Sequence, residues 1–136
     1  MNNFSRRQFV EKTSKAALAG SFIFAVSNQQ EKEMENVFVH HVYFWLKNAD
    51  IAEDRGKLVA GLKKLSVVKT IQQFQIGKPA ATSREVIDDS YAVSWLVLFN
   101  NKADQDSYQT DPIHLKFVEE CSSLWQKVVV YDSIAI

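Results

Sequence analysis

Three histidines, His40, His41 and His114, hold most of the acid–base chemistry this chain can offer. Histidine is the side chain whose ordinary pKa lies near neutrality, so each can take or give a proton under mild conditions. His114 follows Asp111-Pro112, which reads as a helix start with Asp111 at the N-cap and Pro112 at the first helical position. There the positive end of the helix dipole disfavours imidazolium, while the Asp111 carboxylate one turn earlier favours it; spacing leaves that balance open. Tyr108 precedes His114 across the Asp-Pro turn, close enough in sequence to face the same cavity. A phenol and an imidazole together can polarise a carbonyl and move a proton.

His40 and His41 are neighbours in an extended apolar run. They therefore point to opposite faces and cannot clasp one metal ion from one side. Cys121 is the only cysteine, so neither a zinc site nor an internal disulfide is expected. The plain reading of either strand histidine is a partly buried, hydrogen-bonded side chain, and of Cys121 a small buried hydrophobe. No Gly-rich phosphate loop or dinucleotide fingerprint occurs, so no cofactor is implied. Tyr43, Trp45, Trp95, Phe117 and Trp125 read first as core. If one sheet face closes against a second sheet, these large side chains line an apolar space of the kind small molecules occupy.

The elements that must position these groups alternate. Positions 37–46 are β-branched and aromatic, the composition of a strand. Phe38, Val42, Phe44 and Leu46 fall on one side, Val37, Val39, Tyr43 and Trp45 on the other. A strand apolar on both faces needs two covers. Helices can supply one; the other calls for a second sheet. A helix over 51–65 follows, with Asp50 as the expected N-cap, acids in its first turn and Leu58, Leu62 and Leu65 as its core stripe. A weaker strand covers 70–77 and a polar loop 78–90. Positions 91–99 form a clear strand, in which Tyr91, Val93, Trp95, Val97 and Phe99 alternate with smaller or aliphatic residues. A short helix over 102–109 leads into the Asp111 helix. That helix carries Ile113, Phe117 and Leu124 on one stripe and His114, Val118, Cys121 and Trp125 on another. A last strand covers 128–131. The order βαββαβ is that of a ferredoxin-like α+β fold.

Length and charge narrow the class. The 136 residues make one domain's worth of chain. With 46% hydrophobic residues the chain is too apolar to be wholly disordered. Sixteen basic residues balance sixteen acidic ones, and the body has no basic cluster, which argues against a nucleic-acid partner. No apolar run reaches the ~18 residues of a membrane span.

The N-terminus is read as an address. Ser5-Arg6-Arg7-Gln8-Phe9-Val10, a small apolar run over 16–25 and Ala25-Val26-Ser27 supply the basic head, hydrophobic stretch and small-residue cut of an export signal. The paired arginines resemble the twin-arginine signal of bacteria. The other reading is a basic amphipathic helix kept in the mature protein. Cleavage after Ser27 would leave 12 basic and 15 acidic side chains, a polar flexible lead over 28–36 and a domain over 37–136. No cysteine stands near the cut, so a free, periplasmic product without a membrane attachment is expected.

Tyr108-Gln-Thr-Asp-Pro-Ile-His114-Leu-Lys-Phe117 resembles the Y-x-x-H-P-x-H-x-x-F signature of the stress-responsive A/B barrel (Dabb) family. The early His41-Val-Tyr-Phe-Trp and the closing Val-Val-Val-Tyr-Asp132 are similar to its pattern as well. The resemblance implies a homodimer whose two sheets close into an α+β barrel, which would be the second cover. The family includes a plant polyketide cyclase, and the resemblance matches its catalytic tyrosine and histidine to Tyr108 and His114 and a pocket histidine to His41. Asp111 replaces the first histidine of the signature, and Val93 stands where the cyclase has another. Two expectations follow from the resemblance. One is a barrel that binds a small apolar or phenolic molecule, in a stress response, without turnover. The other is an enzyme acting on a small carbonyl compound, with His114 as base or acid, Tyr108 at the oxyanion and His41 orienting substrate.

Overall fold

β-Branched and aromatic side chains crowd the first strand, β1 (Phe38–Leu46), and they sort cleanly: even-numbered residues are buried and odd-numbered ones half-buried. In this computed structural model residues 34–136 are described, so the expected export signal and residues 28–33 of the expected lead lie outside the described residues. After β1 come α1 (Ala52–Leu65), β2 (Gln73–Gly77), β3 (Val93–Phe99), α2 (Lys102–Thr110), α3 (Pro112–Cys121), a 3-10 turn (Ser122–Leu124) and β4 (Trp125–Ser133). This is the expected βαββαβ order, with the second crossover divided into α2 and α3. The four strands form one antiparallel sheet in the order β2-β3-β1-β4, a ferredoxin-like α+β arrangement.

The sheet's inner face carries the core. Val42, Phe44 and Leu46 of β1 and Val93, Trp95, Val97 and Phe99 of β3 are buried there together with Leu58, Leu62 and Leu65 of α1. Phe117 and Cys121 bring α3 onto the same core. Helices α1 and α3 approach closely at Gly61, where an added Cβ would stand 2.5 Å from the Cys121 sulfur.

The helix ends show which local signals operate. Asp111 caps α3, its side chain accepting from the Ile113 amide at 2.8 Å, with Pro112 next in line. Asn101 caps α2 by accepting from the Asp104 amide at 2.8 Å. For α1 the expected cap was Asp50, but Ile51 occupies the N-cap and no side chain caps it. Asp50 lies one residue too early; Glu53 and Asp54 in the first turn still complement the dipole.

Two further expectations shift. Trp125 is not on a helix stripe: α3 stops at Cys121, and Trp125 opens β4 after the turn. Tyr91 does not share a face with Trp95, because β3 starts at Val93 and strand alternation does not extend back to residue 91.

Candidate functional site

Antiparallel register decides which side chains meet. His40 lies opposite Val97 of β3 and Asp132 of β4, and directly opposed residues point to the same face. Its face is the inner one, and His40 is 4% exposed. Nδ1 of His40 lies 2.7 Å from the Asp132 carboxylate. An ionised carboxylate only accepts, so neutral His40 carries its proton on Nδ1 and its lone pair on Nε2.

Tyr108 comes down from α2 onto this histidine, with ring centroids 5.8 Å apart, and onto Phe99 at 5.1 Å. Its hydroxyl accepts a hydrogen bond from the Trp95 indole N–H at 3.1 Å. Both side chains are almost wholly buried. Burial pushes the phenol up to about 12, with the Trp95 bond pulling the other way, so Tyr108 is protonated at neutral pH.

His114, in the first turn of α3, lies 4.7 Å from Tyr108 by ring centroids. Its Nδ1 donates to the Gln109 carbonyl at 3.1 Å, which again leaves the lone pair on Nε2. Burial is the largest influence and lowers its pKa; the Gln109 bond and Asp111 oppose this, and the neighbouring His40 adds to it. The balance that the sequence left open thus falls on the neutral side. The result is a row, Asp132–His40–Tyr108–His114, in which two imidazoles flank a protonated phenol.

An apolar floor leads up to this row. Val130 and Val128 of β4 sit opposite Val42 and Phe44 and so belong to the inner face, yet they are 46% and 37% exposed. Val118, one helical turn beyond His114 on α3, is also exposed. Trp125 closes the far side, packed at 5.1 Å on Phe44 and 5.9 Å on Phe117. The arrangement can hold a small apolar body with its polar end at Tyr108 and the histidines. Among the described residues, no group of three or more His, Cys, Asp or Glu side chains is placed to hold a metal ion. Nor is any described helix long and apolar enough to cross a membrane.

The sequence profile of the stress responsive A/B barrel domain matches residues 38–135. The chain belongs to the Dabb family. No curated protein matches it. Among solved structures it is similar to a Dabb-family protein with a ferredoxin-like fold from Mesorhizobium loti, at 22% identity and a TM-score of 0.62, covering 74% of this chain and 97% of that one. A hydroxynitrile lyase from Passiflora edulis is similar at 18% identity and a TM-score of 0.64, with 76% and 96% covered. A dimeric ferredoxin-like protein of unknown function from Thermobifida fusca is similar at 11% identity and a TM-score of 0.60, with 79% and 100% covered.

Within this Dabb domain the candidate residues divide between two faces. Tyr108, His114, Trp95, Val93, Phe117 and Trp125 lie on the inner face or the helices above it. His41, Tyr43 and Trp45 lie on the outer face, where Tyr43 meets His41 at 4.4 Å and Tyr91 at 4.9 Å between ring centroids. The strand histidine beside Tyr108 is His40, not His41. Reading from sequence named His40 as a buried, hydrogen-bonded histidine but did not place it in the site, and it missed the pairing with Asp132. Their common face becomes readable only once β1 and β4 are paired in register, and the closing Tyr131-Asp132 was the one trace of it.

Proposed function

We propose that this Dabb protein is exported, forms a homodimer, and binds a small apolar or phenolic molecule against the exposed inner-face valines Val128 and Val130 beside Tyr108 and His114. One observation carries the reading: Val128 and Val130 form an exposed apolar floor that ends at a buried, polar Tyr108–His40–His114 row. Ligand sites typically combine apolar walls with a few fixed polar groups. Dimerisation is supported by the outer sheet face. There Val39, Tyr43, Leu96 and Leu98 are only half-buried in the single chain, a surface suited to a second sheet. The similar Thermobifida fusca protein is described as dimeric. Export rests on Arg6-Arg7, the apolar run after them and Ala25-Val26-Ser27.

Native mass spectrometry of protein recovered from the periplasm tests all three parts. The expected species is a dimer of chains beginning near residue 28, carrying a discrete small-molecule mass. A bare dimer removes the resident ligand from the reading, and a monomer retaining residues 1–27 overturns both export and barrel.

A second reading, proton-transfer catalysis on a small carbonyl compound, is favoured by the fixed histidine tautomers. Nε2 of His114 would take a proton from the carbon next to the carbonyl, and the Tyr108 hydroxyl would donate a hydrogen bond to the oxyanion that develops. The Passiflora edulis hydroxynitrile lyase is an enzyme on a similar fold. Under this reading His114→Ala and Tyr108→Phe each abolish turnover of a carbonyl substrate while the chain stays folded. Unchanged turnover in both variants sinks it.

A further inference from the structure

His41 stands near the middle of the sheet's outer face. In register it lies opposite Leu96 of β3 and Tyr131 of β4, with Val39 and Tyr43 two residues away on its own strand. It is half-buried in the single chain. Its Nδ1 is 3.0 Å from the Tyr43 hydroxyl, and the two rings are 4.4 Å apart between centroids.

Nothing beside it balances a positive charge. On this face β1 presents Tyr43 and β4 presents Tyr131, both phenols, while β3 presents Ser94, Leu96 and Leu98 and β2 presents Gln73 and Gln75. Lys127, four residues from Tyr131 along β4, holds its ammonium over the Trp45 ring. From the loop before β3, Tyr91 packs on Tyr43, and Asp88 is bonded to Ser90. Asp132 faces inward to His40. None of the strand residues on the outer face is acidic. Burial already lowers the His41 pKa in the single chain, and the charge of neighbouring His40 adds to this.

The homodimer proposed above lays a second copy's sheet over this face. A two-fold dimer buries the same patch of both copies, so the covering surface takes water from the imidazole and brings no strand carboxylate in exchange. We propose, building on that homodimer, that His41 makes it pH-sensitive: the dimer forms with both imidazoles neutral, and protonation of the two His41 side chains, one per copy, opens it. A protonated ring has no acceptor nitrogen, so the Tyr43 hydroxyl must then accept from it and turn its own proton away, into an apolar interface. The dimer therefore binds fewer protons than two free chains. Association is complete above the ordinary value of 6.5 and weakens as pH falls below it. Symmetry makes the response steeper, because two protons are taken up together on dissociation.

Sedimentation velocity of the purified protein, with circular dichroism to follow the fold, tests the switch. A dimer is expected at about pH 7.5, and its Kd should rise about tenfold by about pH 5 while the chains stay folded. His41→Gln, whose amide still reaches for the Tyr43 hydroxyl, should dimerise with nearly the same Kd at both pH values. His41→Phe, which leaves the position apolar, should do so as well. Linkage is reciprocal, so in the parent the His41 imidazole followed by NMR should titrate at lower pH in concentrated, dimeric protein than in dilute protein. A dimer whose Kd is the same at both pH values, a titration independent of concentration, or the parent's pH dependence persisting in His41→Gln overturns the switch. A chain that is monomeric at the higher pH overturns the homodimer reading itself, so the two failures are told apart.

Discussion

The Trp95 indole N–H donates to the Tyr108 hydroxyl across 3.1 Å, in a contact where each side chain is only 1% exposed. That bond uses acceptor capacity on the phenol oxygen and leaves the phenol's own proton free to be given elsewhere. With its pKa raised to about 12, Tyr108 acts in this site as a hydrogen-bond donor and not as a phenolate. The relationship ties β3 to α2, so the same contact that packs the helix on the sheet also fixes the Tyr108 side chain in the candidate site.

Tyr108→Phe should therefore be destabilising even without a ligand. It strands the Trp95 N–H in the core, at a cost of about 1–3 kcal/mol. The Trp95→Phe/Tyr108→Phe double variant should lose less than the sum of the two single losses, by about 1 kcal/mol, in urea unfolding. Strict additivity would mean that the hydrogen bond contributes nothing to stability.

Acid should weaken the fold through two histidines. Burial is the first cause lowering the pKa of both His114 and His41 from 6.5, with the charge of His40 adding to it in each case. The unfolded chain then binds more protons than the folded one once pH drops below that value. Stability is complete above 6.5 and declines as pH falls through the lowered values. Urea unfolding at a series of pH values from about 7 down to 5 should show the decline, with His114→Gln and His41→Gln each flattening part of it. If neither variant changes the slope, groups other than these histidines carry it.

These histidines also show how far sequence could be read. Alternation in β1 was plain, and apolar residues on both of its sides implied two covers. The same feature hid which side was inward, because a period of two assigns residues to faces without orienting them when both sets are apolar. His40 and His41 were thus separable but not placeable, and only the pairing of His40 with Asp132, ninety-two positions away, orients them. Local signals were more legible. The Asp111-Pro112 start of α3 acts as read, and the Tyr108–His114 pairing follows because α2 and α3 meet at that short turn. The apolar floor could not be seen, since Val128 and Val130 read as an ordinary buried strand until their exposure was known.

Gly61 offers a test of the α1–α3 contact. In a helix, alanine is favoured over glycine by ~1 kcal/mol. Here an added Cβ meets the Cys121 sulfur at 2.5 Å and the Phe117 ring at 3.3 Å, so the helices must part. Gly61→Ala should lower stability by about 1–3 kcal/mol despite its better propensity. Removing the sulfur should reverse the sign: Gly61→Ala/Cys121→Ala should be more stable than Cys121→Ala alone. Thermal unfolding of the four proteins decides. A stabilised Gly61→Ala single variant would show that α1 and α3 are looser than this packing requires.

Val130 separates binding from folding. Half-exposed on the inner face, it has little to lose on replacement by a polar residue, and Val130→Gln should shift stability by no more than about 0.5 kcal/mol. An apolar ligand lying on it would lose buried contact. With 2-naphthol as the probe and tryptophan fluorescence as the readout, Val130→Gln should weaken binding about tenfold. Val128→Gln should do the same, because the two side chains stand on one strand and one face. His114→Gln should weaken the same probe by a comparable factor if the naphthol hydroxyl is held at the polar row. A probe that binds the valine variants normally but not the histidine variant sits on the polar row alone, and the exposed valines then lie outside the binding site.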